Sequence, residues 1–114
     1  MTKSKWWWVV AAYATVIFVV SVIPVTSPVA TIPYLDKAAH VCEYLLFAWL
    51  LVHAIRSSQF HERDYLWWAW IYASSYGLLL EVIQAVVPWR SAEFGDALAN
   101  GLGAAVGVWI GQQW

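Results

Sequence analysis

Residues 66–87 form an unbroken apolar stretch that contains a single charge, Glu81. About 20 mostly apolar residues are enough to cross a bilayer as a helix. A carboxylate inside such a segment is costly, which makes it a functional-site hypothesis by default. Gln84 follows three residues later. Asp36, His40, Glu43, Arg90, Asp96 and Asn100 fall near the same ends of other apolar stretches. The chain is therefore constrained twice: it must cross a membrane, and it must bring these polar groups together or leave them facing lipid.

Composition agrees with the first constraint. The 114 residues are 62% hydrophobic and only 11% charged, against about 25% charged in a soluble domain. Ten tryptophans suit a chain with two membrane–water interfaces, where the indole buries its ring and keeps its N–H wet. The length predicts one domain, residues 1–114, with no separate soluble module. A net charge of −1 gives no basic surface for nucleic acid. Cys42 is the only cysteine, so no intrachain disulfide forms.

Four spans are predicted, at about residues 6–23, 38–55, 66–87 and 97–114. The apolar runs are continuous and lack the period-two alternation of barrel strands, so they read as helices. The expected fold is all-α, an integral membrane four-helix bundle. Lys3 and Lys5 precede the first run, which is too long for a signal peptide and reads as a retained span. The chain is expected to end at Gln112, Gln113 and Trp114 without a soluble tail. Lys3, Lys5, Arg56 and Arg63 lie on one side, Lys37 and Arg90 on the other. This excess predicts both termini in the cytoplasm. Trp6, Trp7, Trp8, Trp67, Trp68, Trp70 and Trp114 would mark the cytoplasmic boundary, and Tyr34 and Trp89 the outer one.

The polar residues share one depth. Glu43, Glu81 and Asn100 each sit about 6–10 Å inside the outer interface at 1.5 Å per residue. They also share faces. Asp36, His40 and Glu43 fall within an arc of about 60° on the second span. Glu81 and Gln84 share a face of the third. Asp96 and Asn100 share a face of the fourth, continued by Gly103, Gly107 and Gly111. Glycines at this spacing allow close helix approach, so that face should pack inward, and the three polar faces should converge. The first span, with Tyr13, Thr15 and Ser21, reads as scaffold.

Structural roles compete with functional ones. Asp96 also suits the N-cap of the fourth helix. Asn100 suits inter-helix hydrogen bonding, and Arg90 an interfacial anchor. Lys37 should snorkel to the surface. His53 and His61 should be solvated or interfacial. Cys42, turned about 100° from Glu43, should pack. Tyr44 and Tyr76 need hydroxyl partners that nothing in the sequence fixes. On the functional side, His40 flanked by Asp36 and Glu43 suits a general base, with Glu81 as its acid partner. Arg90 suits a phosphate or carboxylate, with Gln84, Asp96 and Asn100 completing the pocket. No cofactor is required, although His40, Glu43, Glu81 and Asp96 offer ligands for a divalent metal.

These residues make an ordered pattern: D-K-x-x-H-x-x-E-Y at residues 36–44, E-x-x-Q at residues 81–84, then Pro88, Arg90, Asp96, Asn100, Gly103 and Gly107. The pattern resembles the VanZ-like family of bacterial membrane proteins, named for a protein that confers low-level teicoplanin resistance. It covers about residues 36–107. Trp89 stands where a glycine is frequent, and residues 92–95 depart from the pattern; both changes fall in the outer loop. The resemblance implies the bacterial inner membrane, the cell envelope and glycopeptide tolerance, and supplies no reaction. The expected partner is a membrane lipid or a lipid-linked cell-wall precursor, bound at an extracytoplasmic polar pocket. Three classes follow: an enzyme or head-group binder, a non-enzymatic accessory protein, and a proton-coupled carrier. No second polar layer reaches the cytoplasmic half, which argues against the carrier in a monomer.

Overall fold

The computed structural model describes residues 3–23, 33–58, 64–88 and 92–113; the side chains of residues 3, 4, 33, 34 and 36 are outside this set. Four helices follow in order: α1 (Lys3–Val22), α2 (Pro33–Ser57), α3 (Tyr65–Val86) and α4 (Phe94–Gln113). Local chemistry sets several boundaries. Pro33 opens α2, where its missing N–H costs nothing and its fixed φ suits the first turn. Pro88 closes α3 by forcing Val87 into extended backbone, with φ −85° and ψ 122°.

The helices run up-down-up-down. Tyr13 packs on Phe47 and Trp6 on Trp49, so α1 and α2 are antiparallel. Tyr76 Oη donates to the Ala14 carbonyl at 2.6 Å and Gln84 Nε2 to the Ser21 carbonyl at 3.0 Å, which ties α3 parallel to α1. At one end Lys37 pairs with Asp96; at the other Arg56 donates to the Gly111 carbonyl in the last turn of α4. So α2 and α4 are parallel and span the same depth. Helix α2 is central and touches the other three, while α1 and α4 do not meet.

The expected glycine face is the α2–α4 seam. Gly103, Gly107 and Gly111 are buried. A methyl group at Gly103 or Gly107 would run into the backbone carbonyls of Val41 and Leu45. Two helix backbones in such contact gain dispersion and exclude lipid, the main sources of helix association in a bilayer.

The surface is inverted relative to a soluble protein. Val16, Val19, Leu79, Val82, Leu98 and Leu102 are exposed, while Glu81, Gln84, Asp96 and Asn100 are buried. In water this arrangement would aggregate; in lipid it is the low-energy one. The long axis of 42 Å matches a bilayer with its head groups, about 40–45 Å. Helices α1, α2 and α3 are long and apolar enough to cross a membrane. Helix α4 carries Asp96, Asn100 and five glycines and lies parallel to α2, tied to it near both ends.

Some expectations are corrected. Helix α4 starts at Phe94, before Asp96. The Asp96 and Ala97 amides both donate to the Glu93 carbonyl, at 3.0 and 3.4 Å, so Asp96 sits in the first turn and is not the cap. Cys42 is exposed on the bundle surface, not packed. His53, expected to be solvated or interfacial, is half-buried: its ring stacks on Trp6 at 4.9 Å and meets the edge of Trp49 at 4.2 Å. Tyr34, His61, Arg63, Trp89 and Trp114 bear on sidedness or boundary depth, and their side chains lie outside the described residues.

Candidate functional site

The polar groups meet at the end of the bundle where α2 and α4 begin and α3 ends. Helix α2 contributes His40 and Lys37, α3 contributes Glu81, and α4 contributes Asp96. His40, Glu81 and Asp96 each bring one ligand-type atom within 4.8 Å of the others. His40 Nε2 lies 3.8 Å from Asp96 Oδ2. The other Asp96 oxygen, Oδ1, accepts from Lys37 Nζ at 2.5 Å. Lys37 also donates to Glu93 Oε2 at 2.5 Å. The Glu93 amide in turn donates to Glu81 Oε2 at 3.1 Å. The residues thus form one chain of contacts across three helices and the segment before α4.

The arrangement follows from helix geometry. His40 and Tyr44, Glu81 and Gly77, and Asp96 and Asn100 are each four residues apart on their own helices, so each pair stacks on one face. Because α3 runs opposite to α2 and α4, the three pairs form two layers. The outer layer is His40, Glu81 and Asp96. The inner layer is Tyr44, Gly77 and Asn100. Gly77 has to be small: a methyl group there would lie 2.9 Å from Asn100 Nδ2 and 3.0 Å from Tyr44 Cε2. Asn100 is 2% exposed, and its Oδ1 accepts no hydrogen bond among the described residues.

The sequence-derived candidates divide accordingly. His40, Glu81 and Asp96 are brought together, with Asn100 one turn deeper. Gln84 is buried but turned to α1 through Ser21. Glu43 is not part of the His40–Glu81–Asp96 group; its backbone carbonyl accepts from Tyr13 Oη at 2.8 Å. The Asp36 side chain and all of Arg90 lie outside the described residues. Tyr76 finds its hydroxyl partner on α1 rather than in the pocket.

Two members escaped sequence reasoning. Lys37 was expected to snorkel away and instead pairs with Asp96 and Glu93. Glu93, within the outer-loop residues that depart from the family pattern, holds Glu81 through its amide and Lys37 through its carboxylate. The position of Glu93 just before a helix was a usable signal for an acidic group at a helix N-terminus. Its backbone bond to Glu81 leaves no trace in the sequence.

Chemically, the cluster sets three carboxylates (Glu81, Glu93 and Asp96) against one ammonium and one imidazole. It offers a proton acceptor in His40, carboxylate ligands, and a partly open cation in Lys37, whose side chain is 32% exposed. A family model described as VanZ/LLP1 matches residues 2–112. No curated protein and no solved structure matches the chain.

Proposed function

The chain belongs to the VanZ/LLP1 family, and we propose that it is a cell-envelope membrane protein that binds, or acts on, the head group of an anionic lipid or lipid-linked cell-wall precursor. The observation that carries this reading is the convergence of Lys37, His40, Glu81 and Asp96 from three helices at one end of the bundle. Glu81 and Asp96 are buried there, while Lys37 and Glu93 remain partly exposed. In this reading the site lies near the membrane surface, with Lys37 and Glu93 on its exposed side. Lys37, which already pairs with Asp96 and Glu93, and Arg90, which follows α3 in the sequence, are the cations proposed to meet a phosphate or carboxylate. His40, beside Asp96, supplies a base for a proton on the head group or on a water.

An extracytoplasmic site in the bacterial inner membrane is part of this proposal, and the excess of Lys and Arg that the sequence carries toward the opposite end supports it. Glycopeptide tolerance would follow if the bound head group belongs to a precursor that such a drug also recognises.

Two measurements test the reading. Glu81→Gln and His40→Ala should leave the protein folded in detergent. They should weaken capture of labelled lipid-linked precursor by about tenfold or more, the scale of a lost charge-assisted hydrogen bond. Wild-type capture by both variants would remove the site. Turnover to a new labelled species identifies an enzyme, and stoichiometric capture without product identifies a binder. For sidedness, Ser91→Cys in a Cys42→Ser background should react with an impermeant thiol reagent on intact cells. Labelling only after lysis would invert the topology.

A further inference from the structure

We propose that His40, Glu81 and Asp96 hold a first-row divalent cation such as Zn²⁺, with the remaining coordination positions open toward the membrane surface. The site offers one imidazole nitrogen and two carboxylate oxygens within 4.8 Å of one another. That mixed N/O set suits Zn²⁺ and its neighbours better than Ca²⁺ or Mg²⁺, which prefer oxygen alone. Ligands about 2.0–2.2 Å from an ion lie about 3–4 Å from each other. The 3.8 Å between His40 Nε2 and Asp96 Oδ2 already falls in that range, and small side-chain rotations bring in Glu81.

Charge and burial give the ion a reason to be there. Glu81 and Asp96 are both 6% exposed, and two carboxylates this close at bilayer depth repel each other strongly. Lys37 divides its ammonium between Asp96 and Glu93. Three carboxylates against one ammonium and one imidazole leave the described cluster net negative, and a divalent cation offsets this. The outer partners are those a metal site uses to orient its ligands. The Glu93 amide fixes one oxygen of Glu81, and Lys37 fixes the oxygen of Asp96 that faces away from His40. A separate observation lies one turn deeper on the Asp96 face. The Asn100 Oδ1 is buried and receives no donor among the described residues, which leaves it an acceptor for a donor that they do not supply.

The inference uses the residues of the proposed head-group site, but its test contains no lipid, so either can fail alone. Detergent-purified protein, stripped with a chelator, is titrated with Zn²⁺. One ion per chain is expected, with a rise in melting temperature. Glu81→Gln and His40→Gln should each weaken binding by about 100-fold, the upper end of what even an outer partner contributes. His53→Gln and Cys42→Ser, which remove two ligand-type side chains outside the proposed site, should bind as wild type. Substitution of wild-type protein with Co²⁺ needs no variant to fold and should give a visible spectrum of N/O ligation without a thiolate band. Less than a tenth of an ion per chain, unchanged affinity in folded Glu81→Gln and His40→Gln, or a thiolate band from Cys42 would each overturn the proposal.

Discussion

Gly107→Ala should destabilise the bundle severely, whereas Gly101→Ala on the same helix should leave it almost untouched. A single methyl group at Gly107 would be 2.1 Å from the Leu45 carbonyl oxygen and 2.8 Å from its carbon; at Gly103 it would be 2.2 Å from the Val41 oxygen. Overpacking against side chains costs about 1–3 kcal/mol, because rotamers give way. Here the obstacle is the α2 backbone, which moves only as a whole helix. Separating α2 from α4 would also stretch the Lys37–Asp96 and Arg56–Gly111 contacts at the two ends of the seam. The expected cost is therefore about 3 kcal/mol or more at either position. At Gly101 the same methyl meets only Ser74 Oγ, at 3.9 Å, an ordinary contact. Gly111 should fall between, because its obstacle is the Val52 side chain at 3.1 Å. Thermal melts and gel filtration in one detergent rank the four variants. Equal melting of Gly107→Ala and Gly101→Ala would refute the backbone seam as the main clamp of the fold.

That contrast also marks what the sequence can tell. The spacing of Asp96, Asn100, Gly103, Gly107 and Gly111 identifies one face of α4, since periodicity reports azimuth about a helix's own axis. It correctly makes this the packed face. Gly101 belongs to another face and is freer to change. The same reasoning turns the polar faces of α2, α3 and α4 toward one another, because lipid penalises every other orientation. It sets Glu43, Glu81 and Asn100 at one depth, however, whereas Glu81 meets His40 and Asp96, with Asn100 one turn deeper and Glu43 outside the group. Periodicity does not report how far each helix is rotated against its neighbours. Gln84 shares a face with Glu81, yet a small rotation gives it to Ser21 on α1. Nor does periodicity report backbone groups. Glu93 enters through its own N–H, and α4 begins at Phe94 rather than after Asp96. His53 shows a third limit: a single polar residue near a span end reads as solvated or interfacial, and only the tertiary placement of Trp6 and Trp49 gives it the rings it packs against.

Lys37→Met should be more damaging than its partial exposure suggests, and Asp96→Asn should largely repair it. The Lys37 side chain is 32% exposed, that of Glu93 56%, but that of Asp96 only 8%. Removing the ammonium leaves Glu93 to water, which solvates it well. Asp96 loses its 2.5 Å partner and retains His40 at 3.8 Å. Breaking a fully buried pair costs about 3–5 kcal/mol because a bare charge stays behind. Screening on the open side of Lys37 lowers the expected loss to about 2–3 kcal/mol. Glu93→Gln alone should cost under about 1 kcal/mol, as for an exposed pair. In the double variant Lys37→Met/Asp96→Asn no charge is stranded, so stability should return to within about 1 kcal/mol of the parent. The double-mutant cycle then gives a large coupling, the double variant losing much less than the sum of the two single losses. Additive losses would make Lys37 an ordinary interfacial lysine. Strong coupling would mean that the lysine in D-K-x-x-H acts on the buried aspartate of α4, and through it orients the oxygen presented to His40.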